Sequence, residues 1–440
     1  MSSNKNFGSV SAALLVIITV VLLVAPGAWA QNHYTSLYTF TGGADGKFPA
    51  AGLVFDSAGN LYGTTEFGGL VSDCSGNGCG VVFELSPQQG GGWSEKVLYS
   101  FTGGADGGNP SAGVIFDQAG NLYGTAQFGG PGIGGTVFKL TPNSNGTWTE
   151  SLVYGFCAHG KSCRDGNQPS AGLIFDGTGN LYGTTQYGGN PSCTSFGCGV
   201  VFKLTPSPDG SWTENVIHYF NGVNVSDALS GLILDPQGNL YSTTASSGKG
   251  SWGTVFELVP NADEAWKHKV LHNFPLDDSG GALPLASVVF DSAGNLYGTT
   301  EFGGTGDCGG GPCGVVFELI PNADGTWQRK VLHRFTGGRD GAWPQAALTV
   351  DASGNLYSTT TYGGNLHDCV SSVISGCGVV FKLTPNSNGG WSETVLHTFT
   401  DQAGDSHPYD SVIFDSAGNL YGTTTGDSPY THGSVFEVTP

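Results

Sequence analysis

Short apolar runs, separated by polar and glycine-rich turns, recur along almost the whole chain. The first set is Gly52 to Asp56 (GLVFD), Asn60 to Thr65 (NLYGTT), Gly80 to Leu85 (GVVFEL) and Ser94 to Phe101 (SEKVLYSF). Runs of this length, rich in β-branched and aromatic residues, read as strands, here labelled A to D. Between A and B lies DSAGN, where the Asp56 carboxylate accepts from backbone N–H groups further on and Gly59 takes the positive φ of a tight hairpin. Between C and D lies a longer polar turn, such as TPNSNGTW in the second copy.

The phrase DxxGNLY starts at Asp56, Asp117, Asp176, Asp235, Asp291, Asp351 and Asp415, at successive separations of 61, 59, 59, 56, 60 and 64 residues. A steady period of this size marks a repeat architecture. Four hairpin-linked strands per unit make one propeller blade, and a blade has a face it cannot bury alone. The chain opens with Tyr34 to Phe40 (YTSLYTF), a D strand with no A, B or C before it, and finishes with Gly433 to Val438 (GSVFEV), a C strand with no D after it. The surplus strand at the start supplies the one missing at the end. An all-β fold is expected: a closed seven-bladed β-propeller with four antiparallel strands per blade, spanning 31–440 as a single domain.

The units GLVFDSAGNLYGTTEFGG, GVVFELSP and KVLYSFTGGADG resemble the GloVer tandem repeat of secreted "choice-of-anchor" bacterial proteins, over nearly all of the chain after its first thirty residues. The resemblance implies extracellular residence and no known reaction. Many members carry a C-terminal sorting segment, whereas this sequence stops at Pro440 directly after strand C, which counts against surface attachment.

Residues 1–30 read as a secretory leader: Lys5, an apolar stretch from Ala12 to Val24, Pro26-Gly27, and Ala28-Trp29-Ala30 before Gln31. No second apolar stretch is long enough to span a bilayer, so no membrane association is expected once the leader is cleaved. The expected location is secreted, periplasmic or cell-surface. Fifteen Lys and Arg against 35 Asp and Glu give a net charge of −20, which repels phosphate backbones and excludes nucleic acid as a partner. With 74 Gly residues, the composition favours tight turns over helices.

The ten cysteines fall into local pairs: Cys74/Cys79, Cys157/Cys163, Cys193/Cys198, Cys308/Cys313 and Cys369/Cys377. Four pairs lie in B–C loops and one in a D–A loop. In an exported chain, disulfides that stiffen their own loops are the better reading than zinc ligands.

His218, His272, His333 and His397 share one strand-D position with Tyr38, Tyr99 and Tyr154. A general base does not survive exchange for Tyr, whereas a planar side chain with a polar tip does, so these histidines read as structural. His367 and His432 stay undecided. Every D–A connection carries an Asp: Asp45, Asp106, Asp165, Asp227, Asp278, Asp340 and Asp405. Either they ring one mouth of the channel, fit for a cation or sugar hydroxyls, or each satisfies its own turn. Phe67, Phe128, Tyr187, Phe302 and Tyr362 open the B–C loops, each before Gly-Gly, and either stack on sugar rings or fill the gap between blades. Ser246 and Gly426 replace them in two irregular blades.

No calcium-loop spacing, nucleophile elbow, zinc helix or phosphate loop is present, and no cofactor or metal is expected. The D–A and B–C loops share one face, and their variety and stiffening point to recognition there. The leading expectation is a monomeric, non-enzymatic protein. It binds an extracellular polysaccharide, peptide or cell-surface partner through Asp45, Asp106, Asp165, Asp340, Phe67, Phe128, Tyr187, Phe302 and Tyr362. The alternatives are a carbohydrate-active lyase or hydrolase, a lactonase with one metal at the channel mouth, or a structural envelope or matrix protein.

Overall fold

The computed structural model describes residues 33–69, 74–158, 162–193, 196–222, 229–246, 252–262, 265–275, 280–309, 311–370, 373–401, 404–426 and 431–440. The leader expected over 1–30 lies outside the described residues, which contain no helix. They form seven four-stranded antiparallel sheets, closed as a seven-bladed β-propeller. In the first blade the strands are Val54–Phe55, Leu61–Thr65, Val81–Pro87 and Trp93–Ser100. Only two residues of strand A keep ladder pairing, fewer than the apolar run suggests.

The last blade comprises Ile413–Phe414, Leu420–Thr424, Ser434–Thr439 and, as its outer strand, His33–Thr39 from the other end of the chain. Tyr34 pairs with Val438 and Thr39 with Ser434. Such a join covers two edges that would otherwise stand unpaired.

The repeated phrase is explained atom by atom. Asp56 Oδ1 accepts from Ala58 N (2.8 Å) and Asn60 N (2.9 Å), while Oδ2 accepts from Asn60 Nδ2 (2.8 Å) and Tyr62 Oη (3.1 Å). Gly59 sits at φ +86°, where a Cβ would be strained. The other six copies repeat this closure, so Asp, Gly, Asn and Tyr each have a fixed task. Partial burial pushes the Asp56 carboxyl up, but the donors of Asn60, Ala58 and Tyr62 outweigh it and hold the group below its ordinary value.

The core lies between blades. The Phe that ends each strand D meets the Phe of strand C in the next blade at all seven seams, edge to face. Among them are Phe101 with Phe138 at 5.0 Å, and Phe399 with Phe436 and Phe40 with Phe83 at 5.1 Å on either side of the last blade. A strand-B Thr adds a hydrogen bond at each seam: Thr64 Oγ1 donates to Ala112 O (3.0 Å), Thr125 to Ala171 (3.2 Å) and Thr184 to Ser230 (3.1 Å). Thr243 donates to Ala286 (2.9 Å), Thr299 to Ala346 (2.8 Å), Thr359 to Asp410 (3.1 Å) and Thr423 to Ala51 (3.0 Å).

Candidate functional site

The D–A and B–C loops form one layer. Antiparallel bridges join them at Lys47 and Phe67, Gly108 and Phe128, Asn167 and Tyr187, Ala282 and Phe302, and Ala342 and Tyr362. The five loop-opening aromatics are therefore tied by backbone to the neighbouring loop. Phe128 is 42% exposed, while Phe67, Tyr187, Phe302 and Tyr362 are half-buried. Phe302, Trp343, Tyr362 and His407 run as a series of ring contacts over three successive blades, with centroids 5.5, 5.1 and 4.8 Å apart.

The loop carboxylates and the strand-D Tyr/His column belong together. Tyr38 Oη donates to Asp45, Tyr99 to Asp106 and Tyr154 to Asp165, each at 3.0 Å, and His333 Nε2 lies 3.4 Å from Asp340. Thr41 adds its N (2.7 Å) and Oγ1 (2.6 Å) to Asp45; Thr102 and Thr336 do the same for Asp106 and Asp340. Each carboxylate thus closes the loop that carries it. A strand-D bulge sets up the pairing: Val82 faces Tyr99 and Phe83 faces Val97, so Leu98 is the extra residue that re-aims the chain. Asp227 and Asp278 lie outside the described residues. Burial holds His218 down to about 3, with His268 as a second cause, and burial holds His397 down to about 4. With Arg329 as a second cause, burial also holds His272 down to about 4. These rings are neutral packing groups.

All five cysteine pairs are disulfides within their own loops: Cys74 is bonded to Cys79, Cys157 to Cys163, Cys193 to Cys198, Cys308 to Cys313 and Cys369 to Cys377. No described cysteine is free, which removes the zinc alternative for all ten. In the four B–C loops the second cysteine of each pair, Cys79, Cys198, Cys313 and Cys377, is buried just before strand C, so the bond anchors the far end of the loop to the core. Cys163 closes the one bridged D–A loop back onto Cys157, whose N donates to Asp165 Oδ2 at 2.9 Å. The B–C bridges also brace the D–A loops: a Cβ on Gly103 would stand 2.7 Å from Cys74 Sγ, one on Gly222 2.5 Å from Cys193 Sγ, and one on Gly337 2.4 Å from Cys308 Sγ. In the last blade the ring of His432 takes that place, 2.5 Å from where a Cβ on Gly42 would be. His432 is thus a brace made of imidazole instead of sulfur.

The lead-ins to strand A enclose a central cavity of about 370 Å³, walled by Ser111, Ser170, Leu229, Gln345, Tyr409 and Asp410 among others. Asp410 occupies the column held by Ala51, Ala112, Ala171, Ser230, Ala286 and Ala346 elsewhere. Its Oδ2 accepts from Gly52 N and its Oδ1 from Ser411 N, both at 2.6 Å, and burial pushes the carboxyl up. Sequence reasoning missed this break in the repeat, although the column is visible once the seven units are aligned on DxxGNLY. At the mouth, burial and then Glu301, Tyr362 and Glu66 push the Tyr409 hydroxyl up.

Ten large apolar side chains are exposed among the described residues, and eight sit on this one loop face. They are Phe48, Phe128, Ile133, Phe196, Leu366, Val370, Val373 and Tyr409, with Ile133 at 83%, Val370 at 73% and Phe196 at 69%. The other two, Leu152 and Tyr219, lie on outer strands.

The model of the Gloeobacter/Verrucomicrobia repeat matches residues 28–233 and 190–436. No curated protein matches. Among solved structures, a fungal alcohol oxidase of the AA5 family in complex with copper is similar over 93% of this chain and 76% of its own, at 15% identity and a TM-score of 0.55. The holo PQQ domain of a pyranose dehydrogenase from Coprinopsis cinerea is similar over 93% of this chain and 96% of its own, at 13% identity and a TM-score of 0.43. At 15% identity the likeness to the oxidase shows the fold alone. It nevertheless corrects the expectation of no cofactor: a protein of similar architecture is found in complex with copper, so the fold gives no ground for that expectation. The described residues do not themselves gather three or more His, Cys, Asp or Glu into a metal donor set.

Proposed function

The chain belongs to the Gloeobacter/Verrucomicrobia repeat family, and from that premise we propose that it is an exported, non-catalytic protein that binds an extracellular saccharide through its D–A/B–C loop face. The observation that carries this reading is the placement of eight of the ten exposed large apolar side chains on that face. The A–B turns of the opposite face are near copies of one another, closed by their own Asp, and offer little to tell one partner from another. Aromatic rings beside hydroxyl and amide groups suit a sugar, whose ring stacks while its hydroxyls hydrogen-bond. Five disulfides support export, since such bonds persist in oxidising compartments. In this reading Asp45, Asp106, Asp165 and Asp340 act by holding the loops in shape.

The test is a glycan array probed with the purified protein, then with Phe128→Ser combined with Phe196→Ser, and with Ser57→Ala combined with Ser292→Ala in the opposite turns. Loss in the first variant and retention in the second is expected. The reverse pattern sinks the proposal.

A second reading, a carbohydrate-active lyase or hydrolase, is favoured by one observation. Glu66 and Glu301, from blades one and five, both act on Tyr409 of blade seven, and burial pushes both carboxyls up. Saccharide turnover lost in Glu66→Gln or Glu301→Gln would establish it.

A further inference from the structure

We infer that the pocket across the closing seam, between the last blade and the first, takes an acidic saccharide, with Lys47 as the counter-ion of a uronate carboxylate. This rests on the saccharide-binding reading and names the class of sugar. The pocket has a volume of about 340 Å³ and is lined by Lys47, Phe48, Phe67, Asn77, Thr425 and His432 among others. That size is at the lower end of small-ligand sites, roughly 300 to 1,000 Å³.

Lys47 breaks the repeat. At its column the other described blades carry Gly108, Asn167, Ala282, Ala342 and Ser406, all uncharged. Its Nζ stands 5.9 Å from the centre of the Phe67 ring and 3.3 Å from Asn77 Oδ1, in a loop closed by Cys74 and Cys79. Among the described residues no carboxylate lines the pocket and Lys47 has no ion-pair partner, in a chain of net charge −20. The Nζ stands at the open side of the pocket with a single neutral acceptor, Asn77 Oδ1, where an anion adds a charge-assisted hydrogen bond.

The remaining walls fit a hydroxyl-bearing ring. Phe48 and Phe67 are 6.1 Å apart with planes at 64°, and Phe48 is 37% exposed, which leaves an apolar face open. The Asn77 amide and Thr425 hydroxyl flank it, and His432 is held in place by Gly42 on one side and by Phe48 N donating to its carbonyl at 2.9 Å. Blade seven and blade one each supply part of the pocket, so it exists only in the closed ring.

The experiment is isothermal titration of the exported chain with trigalacturonate, with its neutral counterpart trigalactose, and with triglutamate. Lys47→Ala is the variant, and it is a safe one for the fold: Ala282 and Ala342 already make the same backbone bridges, to Phe302 and Tyr362. Trigalacturonate should bind at least about tenfold more tightly than trigalactose, and Lys47→Ala should erase that difference, as should high salt. Equal binding of the two sugars, or an unchanged affinity in Lys47→Ala, overturns the assignment and leaves the loop-face reading standing. Triglutamate binding as tightly as trigalacturonate overturns the saccharide class. Failure of all three probes overturns the assignment too, and the glycan array then decides the loop-face reading by itself.

Discussion

Thr423 Oγ1 donates to the carbonyl of Ala51 at 3.0 Å, across a sequence separation of 372 residues. The same bond links every other pair of neighbouring blades at separations of 43 to 51 residues. Closure is therefore an ordinary blade contact made between the two ends of the chain, and the outer strand His33–Thr39 keeps blade seven complete beside it.

Removing residues 33–40 should lower the melting temperature far more than trimming any loop. The deletion strips the last blade of its edge strand, the Tyr34 ring stacked on His397 at 3.9 Å, and the Phe40 contact with Phe83. Phe40→Ala alone should cost about 3 to 5 kcal/mol in denaturant titration, as truncation of a fully enclosed Phe does. A truncated chain that melts with the full one would show that the ring does not depend on this strand.

Asp235→Ala should destabilise by about 1 to 3 kcal/mol, because the carboxylate accepts from Gln237 N, Asn239 N, Asn239 Nδ2 and Tyr241 Oη, and its loss removes four charge-assisted bonds that close the hairpin, three of them part-buried. Asp→Ala at any other copy should cost a similar amount. Equilibrium unfolding of two such variants checks this, and widely different costs at equivalent turns would contradict it.

Peptide mapping without reduction should return each of the five cysteine pairs within one fragment. Reduction should loosen the loop face before the strands, seen as faster amide exchange at Gly103 and Gly337 than in strand B. A link between different pairs, such as Cys79 to Cys198 or Cys313 to Cys377, would be incompatible with the loops as described.

Two sets of buried groups should oppose one another in pH. Burial first, then Asp45, Asp106 or Asp165 respectively, pushes Glu95, Glu150 and Glu214 up to about 7. The folded chain keeps protons there that the unfolded chain has released, so this contribution to stability falls as pH rises from about 4.5 to 7. Burial holds His218, His268, His272 and His397 down to between about 3 and 4. The unfolded chain takes up protons there below about 6.5, so this contribution falls as pH drops from 6.5 toward 4. Replacing the three glutamates with Gln removes the first slope. The melting temperature of that variant should rise more steeply with pH than the parent's between 4.5 and 6.5, and parallel curves would refute the assignment.

What the sequence determined by itself is whatever closes within a few residues or repeats in every unit. DxxGNLY folds its own hairpin because the donors to Asp56 lie two to six residues away, and the column of Phe83 and its equivalents had to be enclosed because a large apolar ring recurs there seven times. Local cysteine spacing similarly announced the five loop disulfides. Tertiary structure alone decided which columns face one another. The Tyr column and the loop Asp column were both visible, yet only the strand-D bulge at Leu98 aims Tyr99 at Asp106 and turns an apparent ring of free carboxylates into loop closures. Asp410 meeting Gly52, and Lys47 sharing a pocket with His432, join residues more than 350 positions apart. The physical reason is that such contacts depend on the curvature and closure of the whole ring, which no single repeat contains.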